Sequence, residues 1–498
     1  MAIRDVPTQS LSQIVDQAAN LIRTERKGAL EYVPELAWML FLKVADAKER
    51  EDEEEAIAIG HDYESSIPAP FRWRDWVDTG SSLRDQLTGT GSREGDLVRF
   101  VNDQLFPKLT ELGGREGATR RQLVVSEIFR LIGRTQIRTE KTLLDALDIV
   151  DRLDIRQTDD FHLSEAYEAL LLKLGEKNSD GGQFFTPRDV IRAVVQIVNP
   201  RIGQTVCDPC AGTGGFLGIA YEHMLSNAGA NPEDIRFLKE ETFFAREMED
   251  RAIPMGLANL VLHGIDGPHF WHGNTLTRQA SSSNSLWKGA PELFDVILTN
   301  PPFGGKETAS AQQRYAYRTK ASQVLFLQEV MDSLAQDGKC GLVIDEGVLF
   351  QTNQTAFVQT KKRLLTEFNL WGIVSLPPGV FSCAGAGVKT NLLFFERKGR
   401  TEKIWYYDLS DLKIGKKNPL TLTRMEGLLH AVKTLEVTER SWFVTLDEIE
   451  AKEFDLKAVN PNRKVEIDPR TSSEILAEIE ARHKEISDTL TKLRALIG

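Results

Sequence analysis

Four consecutive residues, Asn300, Pro301, Pro302 and Phe303, have side chains and a backbone suited to chemistry on a nucleobase. The side-chain carbonyl of Asn300 and the backbone carbonyl of Pro301, fixed by the rigid proline turn, can each accept one hydrogen of an exocyclic amine. Phe303 can stack on a base that has been taken out of its helix. The apolar run before them, residues 294–299, predicts a buried strand. Taken alone, the tetrapeptide also fits a strand followed by a proline turn and a core phenylalanine.

A glycine-rich turn earlier in the chain favours the chemical interpretation. Residues 205–207 predict a strand, and a helix is expected from about Gly215 to Met224, with glycines between them that let the backbone pass close to a ligand. Asp208, at the end of the strand, suits an ammonium group better than a pyrophosphate, so S-adenosylmethionine fits better than a nicotinamide dinucleotide. A tight turn in any α/β protein is the alternative. The cofactor-binding residues predicted from this turn are Asp208, Gly212, Thr213, Gly214, Gly215 and Phe216.

The two motifs, in this order, resemble those of N6-adenine DNA methyltransferases, and more specifically those of the modification subunit of type I restriction-modification systems. A third segment, residues 182–188, extends the resemblance, because the family has a closely similar segment that contacts the methionine part of the cofactor. From the residues alone, this segment predicts a helix start with Thr186 as the cap, Pro187 at the first helical position and Asp189 completing a capping box. The resemblance implies cofactor contacts from Gln183, Phe184, Phe185, Thr186, Pro187 and Arg188.

Further segments match the family over roughly residues 10 to 460. Glu247 follows a predicted strand, where the family places an acidic residue that accepts hydrogen bonds from the ribose hydroxyls, and Glu249 is a nearby rival for that role. Asn274 stands where relatives usually have Asp, near the cofactor adenine, and an amide can both donate and accept there. Residues 374–381 and 391–395 match late segments of the catalytic domain.

Three regions are expected along the chain. Residues 1–160 predict a helical N-terminal domain, and residues 421–498 a C-terminal helical segment that docks on another subunit. From 161 to 420, strands and helices alternate, which predicts an α/β fold: a Rossmann-like S-adenosylmethionine-dependent methyltransferase domain with a mostly parallel sheet and helices on both faces. Ligands of such sheets bind at the carboxyl ends of the strands, so Asp208, Glu247 and Asn300 should lie along one edge.

The composition is that of a globular protein, with 498 residues, 41% apolar and 27% charged. No apolar stretch approaches the roughly 20 residues that cross a bilayer, and no secretory signal is evident, so a cytoplasmic location is predicted. Cys207 and Cys210 form a C-x-x-C, but Cys340 and Cys383 stand alone and no second pair at metal spacing follows. We therefore predict no metal.

The net charge of −12 makes the chain poorly suited to hold a polyanion by itself. About a hundred residues remain after position 400, which is too few for a separate target-recognition domain. Both observations indicate that a specificity subunit reads the double-stranded DNA, as in type I systems, where the resemblance also implies two copies of this chain and a restriction subunit. Residues 304–322 are expected to order on DNA and to contact it through Lys306, Arg314, Tyr315, Tyr317, Arg318 and Lys320.

The end of the chain has apolar residues at heptad spacing, which predicts a helix that packs either on a specificity subunit or on its own domain. One seam position holds Leu476, His483, Leu490 and Ile497, and its partner position holds Ile479, Ile486 and Leu493.

The sequence leaves three other functions open. Similar Asn-Pro-Pro motifs occur in N4-cytosine DNA methyltransferases and in enzymes that methylate protein glutamine. A stand-alone adenine or N4-cytosine methyltransferase, or a single-chain restriction-modification enzyme, would need no separate specificity subunit. A non-catalytic scaffold that retains the cofactor fold is the third.

Overall fold

A computed structural model describes residues 11–25, 29–153, 167, 171, 186–229, 231–282, 285–381, 389–415, 418–457, 459–462 and 471–497. The chain forms two compact units, Met1–Val459 and Asn460–Gly498. The second unit contains one long helix, α19 (Ser472–Ile497), with an exposed row of apolar side chains: Leu476, Ile479, Ile486, Leu490 and Leu493.

The N-terminal part of the first unit is helical, as predicted. Its helices are α1 (Leu11–Ile22), α2 (Ala29–Ala58), α3 (Trp73–Trp76), α4 (Ser82–Thr88), α5 (Asp96–Phe100), α6 (Phe106–Glu111), α7 (Arg120–Ile132) and α8 (Glu140–Asp151), with a π-helical turn at Val101–Leu105. The apolar faces of α2 and α7 pack against a helix of the sheet region, α12 (Ala252–Leu262). The two regions therefore share one hydrophobic core, and the predicted boundary near residue 160 lies outside the described residues.

A ten-stranded sheet forms the centre of the first unit. Its strands are β1 (Val206–Asp208), β2 (Phe243–Glu247), β3 (His269–Asn274), β4 (Gln279–Ala280), β5 (Phe294–Thr299), β6 (Leu334–Asp345), β7 (Asn369–Ser375), β8 (Thr390–Glu396), β9 (Lys403–Asp408) and β10 (Ser441–Thr445). They lie in the order β10-β9-β7-β8-β6-β5-β1-β2-β3-β4. All run parallel except β8, which lies between β6 and β7, and the edge strands β4 and β10.

Helices cover both faces of this sheet because its central strands are apolar on both sides. In β5, Val296 and Leu298 belong to the same core cluster as α9 (Arg188–Val198), α10 (Gly215–Ser226) and α12. Phe294 and Ile297 pack on the opposite face with α14 (Ser322–Ser333) and α16 (Thr355–Glu367). The remaining helices are α11 (Pro232–Glu240), α13 (Ala309–Gln312), α15 (Glu346–Phe350), α17 (Glu426–Ala431) and α18 (Leu446–Ala451). The predicted fold class is confirmed.

The sheet extends beyond residue 420, where a purely helical segment was expected. Strand β10 pairs antiparallel with β9, and Trp442 stacks on Tyr406 with ring centroids 5.5 Å apart. A five-residue edge strand that changes from buried to exposed along its length leaves only a weak pattern in the sequence. Among the described residues, no helix has both the length and the apolar character that crossing a membrane requires.

Candidate active site

The two sequence motifs meet in one cavity at the carboxyl ends of β1 and β5. These strands are neighbours in the sheet, and the strand that follows each of them lies on its outer side: β2 beyond β1 and β6 beyond β5. Open α/β sheets bind ligands at such a point, where the strand order reverses. The cavity has a volume of about 250 Å³. Its lining includes the predicted residues Thr186, Arg188, Asp208, Gly212, Thr213, Gly215, Phe216, Glu247, Asn274, Asn300 and Pro302, together with Glu249.

Asp208 lines the cavity as a buried carboxyl. Its Oδ1 accepts hydrogen bonds from the Thr299 hydroxyl at 2.6 Å and from the Cys210 amide at 3.0 Å. Burial raises the pKa of Asp208 to about 7, and the charge of Glu247 acts in the same direction. A cationic ligand would stabilise the ionised form of this carboxyl, because the opposite charge would offset the hydration that the carboxyl loses on burial.

The glycine turn needs glycine for two separate reasons. Gly212 and Gly214 have φ angles of 52° and 77°, in the left-handed region that favours glycine. Gly215 begins α10 beneath Arg188, and a Cβ at Gly215 would lie 1.5 Å from Arg188 Nη1. The turn therefore brings the backbone and the Arg188 side chain together at the cavity wall.

Glu247, at the end of β2, is tied to the glycine turn. Its Oε2 accepts from the Gly212 amide at 2.8 Å, and its Oε1 accepts from the amides of Met248 and Glu249 at 2.7 and 2.9 Å. Burial raises the pKa of this carboxyl, against those three hydrogen bonds. A carboxylate has about four acceptor positions, so it can still receive a hydroxyl donor from the cavity side.

Asn274 ends β3 and closes a turn with its own side chain. Its Oδ1 accepts from the amides of Leu276 and Thr277 at 2.9 and 3.1 Å. The carbonyl oxygen is therefore engaged in the turn, and the Nδ2 group remains as the donor that a ligand could use. An Asp at this position could accept those two amides equally well but would have no such donor.

Asn300 is oriented by Thr186. Its Nδ2 donates to Thr186 Oγ1 at 2.9 Å, whereas its Oδ1 is buried and has no hydrogen-bond partner within the described part of the chain. A buried carbonyl without a partner costs free energy unless a ligand donates to it. The oxygen is thus positioned to accept a hydrogen from a group that enters the cavity.

The predicted cap at Thr186 is wrong, because the Thr186 hydroxyl is used by Asn300. Helix α9 starts at Arg188, one residue later than predicted, and Pro187 is its N-cap, with no side-chain hydrogen bond at the cap. Pro187 can occupy this position because its φ of −54° and ψ of 129° suit the extended residue before a helix. The predicted contacts of Gln183, Phe184 and Phe185 lie outside the described residues.

Phe303 is half-buried against Phe381, a residue of the matched 374–381 segment to which the sequence had assigned no role. The two rings are 5.1 Å apart, with an interplanar angle of 76°. Pro301 is buried and Pro302 is exposed at the cavity. Two aromatic side chains therefore stand together beside the Asn-Pro-Pro turn, a pair that their separation in sequence concealed.

Residues 304–322 have a defined fold in the structure, and the expectation that they order on DNA stays a prediction. Lys306 and Ala321 form a β-bridge that closes the segment. Tyr315 is 4% exposed, and its hydroxyl donates to Glu329 Oε2 at 2.8 Å, so the prediction that Tyr315 stacks on DNA bases is wrong. Tyr317 is half-buried, and the exposed cations of the segment are Lys306, Arg314, Arg318 and Lys320.

In the C-x-x-C pair, the Cys207 side chain is buried and the Cys210 side chain is half-buried at the cavity. Burial raises the pKa of Cys207 to about 12 and that of Cys210 well above its usual value, which disfavours the thiolate that metals and redox chemistry use. Within the described ranges, no three His, Cys, Asp or Glu side chains are grouped so that they could hold a metal ion.

The parallel sheet, the glycine turn with its acidic neighbours and the Asn-Pro-Pro turn define a Rossmann-like S-adenosylmethionine-dependent methyltransferase fold. A family described as N-6 DNA Methylase matches residues 157–469, and one described as the HsdM N-terminal domain matches residues 11–148.

Full-length relatives agree with these matches. The type I restriction enzyme EcoEI methylase subunit of Escherichia coli is 31% identical over 98% of both chains. A chain from a solved type I restriction-modification system is 35% identical over 99% of both chains, with a TM-score of 0.75. A solved modification subunit assigned to a type I restriction enzyme of Vibrio vulnificus YJ016 is 29% identical over 93% of this chain and 99% of that one, with a TM-score of 0.76. The chain therefore belongs to the N-6 DNA methylase family, and within it to the methylase subunits of type I restriction enzymes.

Proposed function

We propose that this chain transfers a methyl group from S-adenosylmethionine to N6 of an adenine flipped out of double-stranded DNA, as the modification subunit of a type I complex. The observation that carries the proposal is the buried, unpartnered Oδ1 of Asn300, which shares one cavity with Asp208 and Glu247. A hydrogen-bond acceptor for an amine thus lies beside a site for a cationic, ribose-containing cofactor.

The residues of the cavity fit S-adenosylmethionine. Asp208 would bind its ammonium group, Glu247 its ribose hydroxyls, and the Nδ2 of Asn274 the edge of its adenine. Four acidic side chains, Asp208, Glu247, Glu249 and Glu307, line the cavity against two arginines, Arg188 and Arg246, and this excess of acids would disfavour a pyrophosphate. When bound, the cofactor supplies an electrophilic methyl group on sulfur.

The chain's own residues would bind and orient the target base. Asn300 Oδ1 and the Pro301 carbonyl would each accept one hydrogen of the adenine amine, which would raise the electron density on N6, the atom that gains the methyl group and loses one of these protons. Phe303 would hold the base by aromatic contact, and the buried Phe381 packs edge-on against Phe303 and supports its ring. Because Thr186 fixes the Asn300 amide before the base arrives, alignment makes the main contribution and no strong base is needed.

Cofactor binding should strengthen as the pH rises. The pKa of Asp208 is raised to about 7, so its carboxyl is mostly protonated at pH 5.5 and mostly ionised at pH 7.5. If only the ionised form binds the ammonium group, the affinity should increase about 20-fold over this interval. Calorimetric titration with S-adenosylmethionine at the two pH values measures this change.

The control for that measurement is Asp208→Asn, which should bind weakly and with little dependence on pH. Burial also raises the pKa of Glu247, so the variant is needed to assign the slope. An Asp208→Asn chain that kept the full 20-fold change would contradict the role given to Asp208.

Target recognition would come from partners. The net charge of −12 opposes tight binding to DNA by this chain alone, although the exposed cations of residues 304–322 lie just after the Asn-Pro-Pro turn and can contact phosphates. We propose that a specificity subunit reads the DNA and that α19 docks on helices of that subunit through its exposed apolar row. Two copies of this chain and a restriction subunit would complete the assembly.

Product analysis tests the function. The chain, with and without its specificity subunit, is incubated with isotopically labelled S-adenosylmethionine and DNA, and the nucleosides are identified by mass spectrometry. Labelled N6-methyladenine only in the presence of the subunit is the expected result. N4-methylcytosine, or no product from the complex despite cofactor binding, would overturn the proposal, and full activity of the chain alone would indicate a stand-alone enzyme.

A further inference from the structure

One buried carboxylate, Glu329 in α14, joins segments that lie on two sides of the active site. Its side chain is 1% exposed, yet it carries several polar contacts. Oε1 accepts from Arg246 Nη1 at 3.0 Å and from Arg278 Nη2 at 3.1 Å, and Oε2 accepts from the Tyr315 hydroxyl at 2.8 Å. Two cations and one phenol therefore converge on a single acid that has almost no contact with water.

On one side, Glu329 and its neighbour Gln328 hold the segment that follows the Asn-Pro-Pro turn. Gln328 is fully buried, and its amide pairs with the backbone of Tyr317: Oε1 accepts from the Tyr317 amide at 3.0 Å, and Nε2 donates to the Tyr317 carbonyl at 2.9 Å. Together with the Tyr315–Glu329 hydrogen bond, these contacts fix residues 315–317 on α14. The cations at 314, 318 and 320 are placed by this attachment.

On the other side, Glu329 holds two segments of the cofactor cavity. Arg246 immediately precedes Glu247, and its carbonyl accepts the Ala211 amide of the glycine turn at 3.0 Å. Leu276, which lines the cavity next to Asn274, has a carbonyl that accepts from Arg314 Nη1 at 2.9 Å and lies 3.2 Å from the Tyr315 hydroxyl. The walls of the cofactor cavity and the 304–322 segment are thus held by the same group of polar contacts around Glu329.

We propose that Glu329 and Tyr315 are positioning residues that couple occupancy of the cofactor cavity to the placement of the 304–322 segment. The inference rests on the proposed function. Opening of the segment separates the Tyr315 hydroxyl from Glu329 and Arg314 from the Leu276 carbonyl, and leaves buried polar groups unsatisfied. A cofactor that contacts Asn274 and Leu276 would restrict the motion of the Leu276 carbonyl, and the 304–322 segment would therefore open less often. By linkage, an ordered segment in turn favours the cofactor.

Hydrogen exchange of backbone amides, followed by mass spectrometry on the full-length chain with and without S-adenosylmethionine, tests the coupling. In the wild type, the cofactor should slow exchange in residues 304–322 by about fivefold or more, the lower end of usual coupling strengths. Tyr315→Phe removes one hydroxyl and no ring. It should bind the cofactor but lose most of this cofactor-dependent protection. A merely structural role would raise exchange equally in both states and leave the difference unchanged.

Tyr406→Phe is the matched control, because it also removes one buried hydroxyl, which donates to the Leu456 carbonyl at 2.9 Å. It should keep the full cofactor-dependent protection of residues 304–322. Equal protection in wild type and Tyr315→Phe, with cofactor bound to both, would overturn the inference and leave the proposed function intact. A wild-type chain that binds no S-adenosylmethionine would overturn the proposed function, and the inference with it.

Discussion

Replacing Asn300 with alanine should abolish methyl transfer while cofactor affinity is retained. The variant removes the buried side-chain acceptor of the Asn-Pro-Pro turn, and it leaves Asp208, Glu247 and the glycine turn unchanged. Loss of one preorganised contact of this kind lowers kcat by about 10²–10³-fold. Single-turnover assays with labelled S-adenosylmethionine on the complex with its specificity subunit would measure the loss, and calorimetry the cofactor affinity.

Asn227→Ala is the matched control for this substitution. Asn227 lies after α10, where its Nδ2 donates to the exposed His223 carbonyl, so its removal should leave turnover near the wild-type value. Turnover of Asn300→Ala within a few fold of wild type would contradict the mechanism. An equal loss of cofactor affinity would indicate that Asn300 supports the cavity as a whole.

Placing aspartates in the apolar row of α19 should release the specificity subunit. Ile479 and Ile486 are seven residues apart on one helix face, with side chains 58% and 59% exposed. Burial of each isoleucine in an interface would contribute about 1.5–3 kcal/mol to the free energy of binding the specificity subunit. The double variant Ile479→Asp, Ile486→Asp should therefore weaken the complex by about 10²–10⁴-fold. Co-purification and analytical ultracentrifugation with the specificity subunit measure this loss.

The control places two aspartates on the opposite face of the same helix. Ala481→Asp with Ala495→Asp adds the same charge at exposed positions, so it should preserve the complex. Cofactor affinity of the chain should be unchanged in both double variants. If the complex survives the Ile479 and Ile486 substitutions, or if both double variants lose it equally, docking through the apolar row is wrong.

Much of the cofactor side was predictable because its signals are local. A strand end, positive-φ glycines and an acidic residue at the end of the next strand lie within short stretches of sequence, so Asp208, Gly212 and Glu247 could be chosen from the sequence, and all three line the cavity. The same applies to the central strands of the sheet, such as β5, whose apolar runs were evident without knowledge of their neighbours, but not to the edge strand β10.

The unpredicted features depend on contacts between distant residues. Thr186 has the pattern of a helix cap, but its hydroxyl binds Asn300, 114 residues further on. Tyr315 has charged neighbours in the sequence, as an exposed aromatic residue would, but its hydroxyl binds Glu329 in a helix that is almost entirely buried. The charges and aromatic residues of a segment indicate what it could bind. Which of its side chains face solvent depends on the residues packed against it, here Glu329.

The sheet order also sets which parts of this chain can change length. Strands β1 and β5 are direct neighbours, and β2, β3 and β4 lie outward from β1 towards one edge of the sheet. The chain between Asp208 and Thr299 therefore runs from the central strand β1 to the edge of the sheet and back to β5. The 2.6 Å hydrogen bond between these two residues does not depend on how long that part of the chain is. Insertions at the outer edge should leave the reaction geometry intact. Searches for relatives should accordingly allow any distance between the glycine turn and the Asn-Pro-Pro turn.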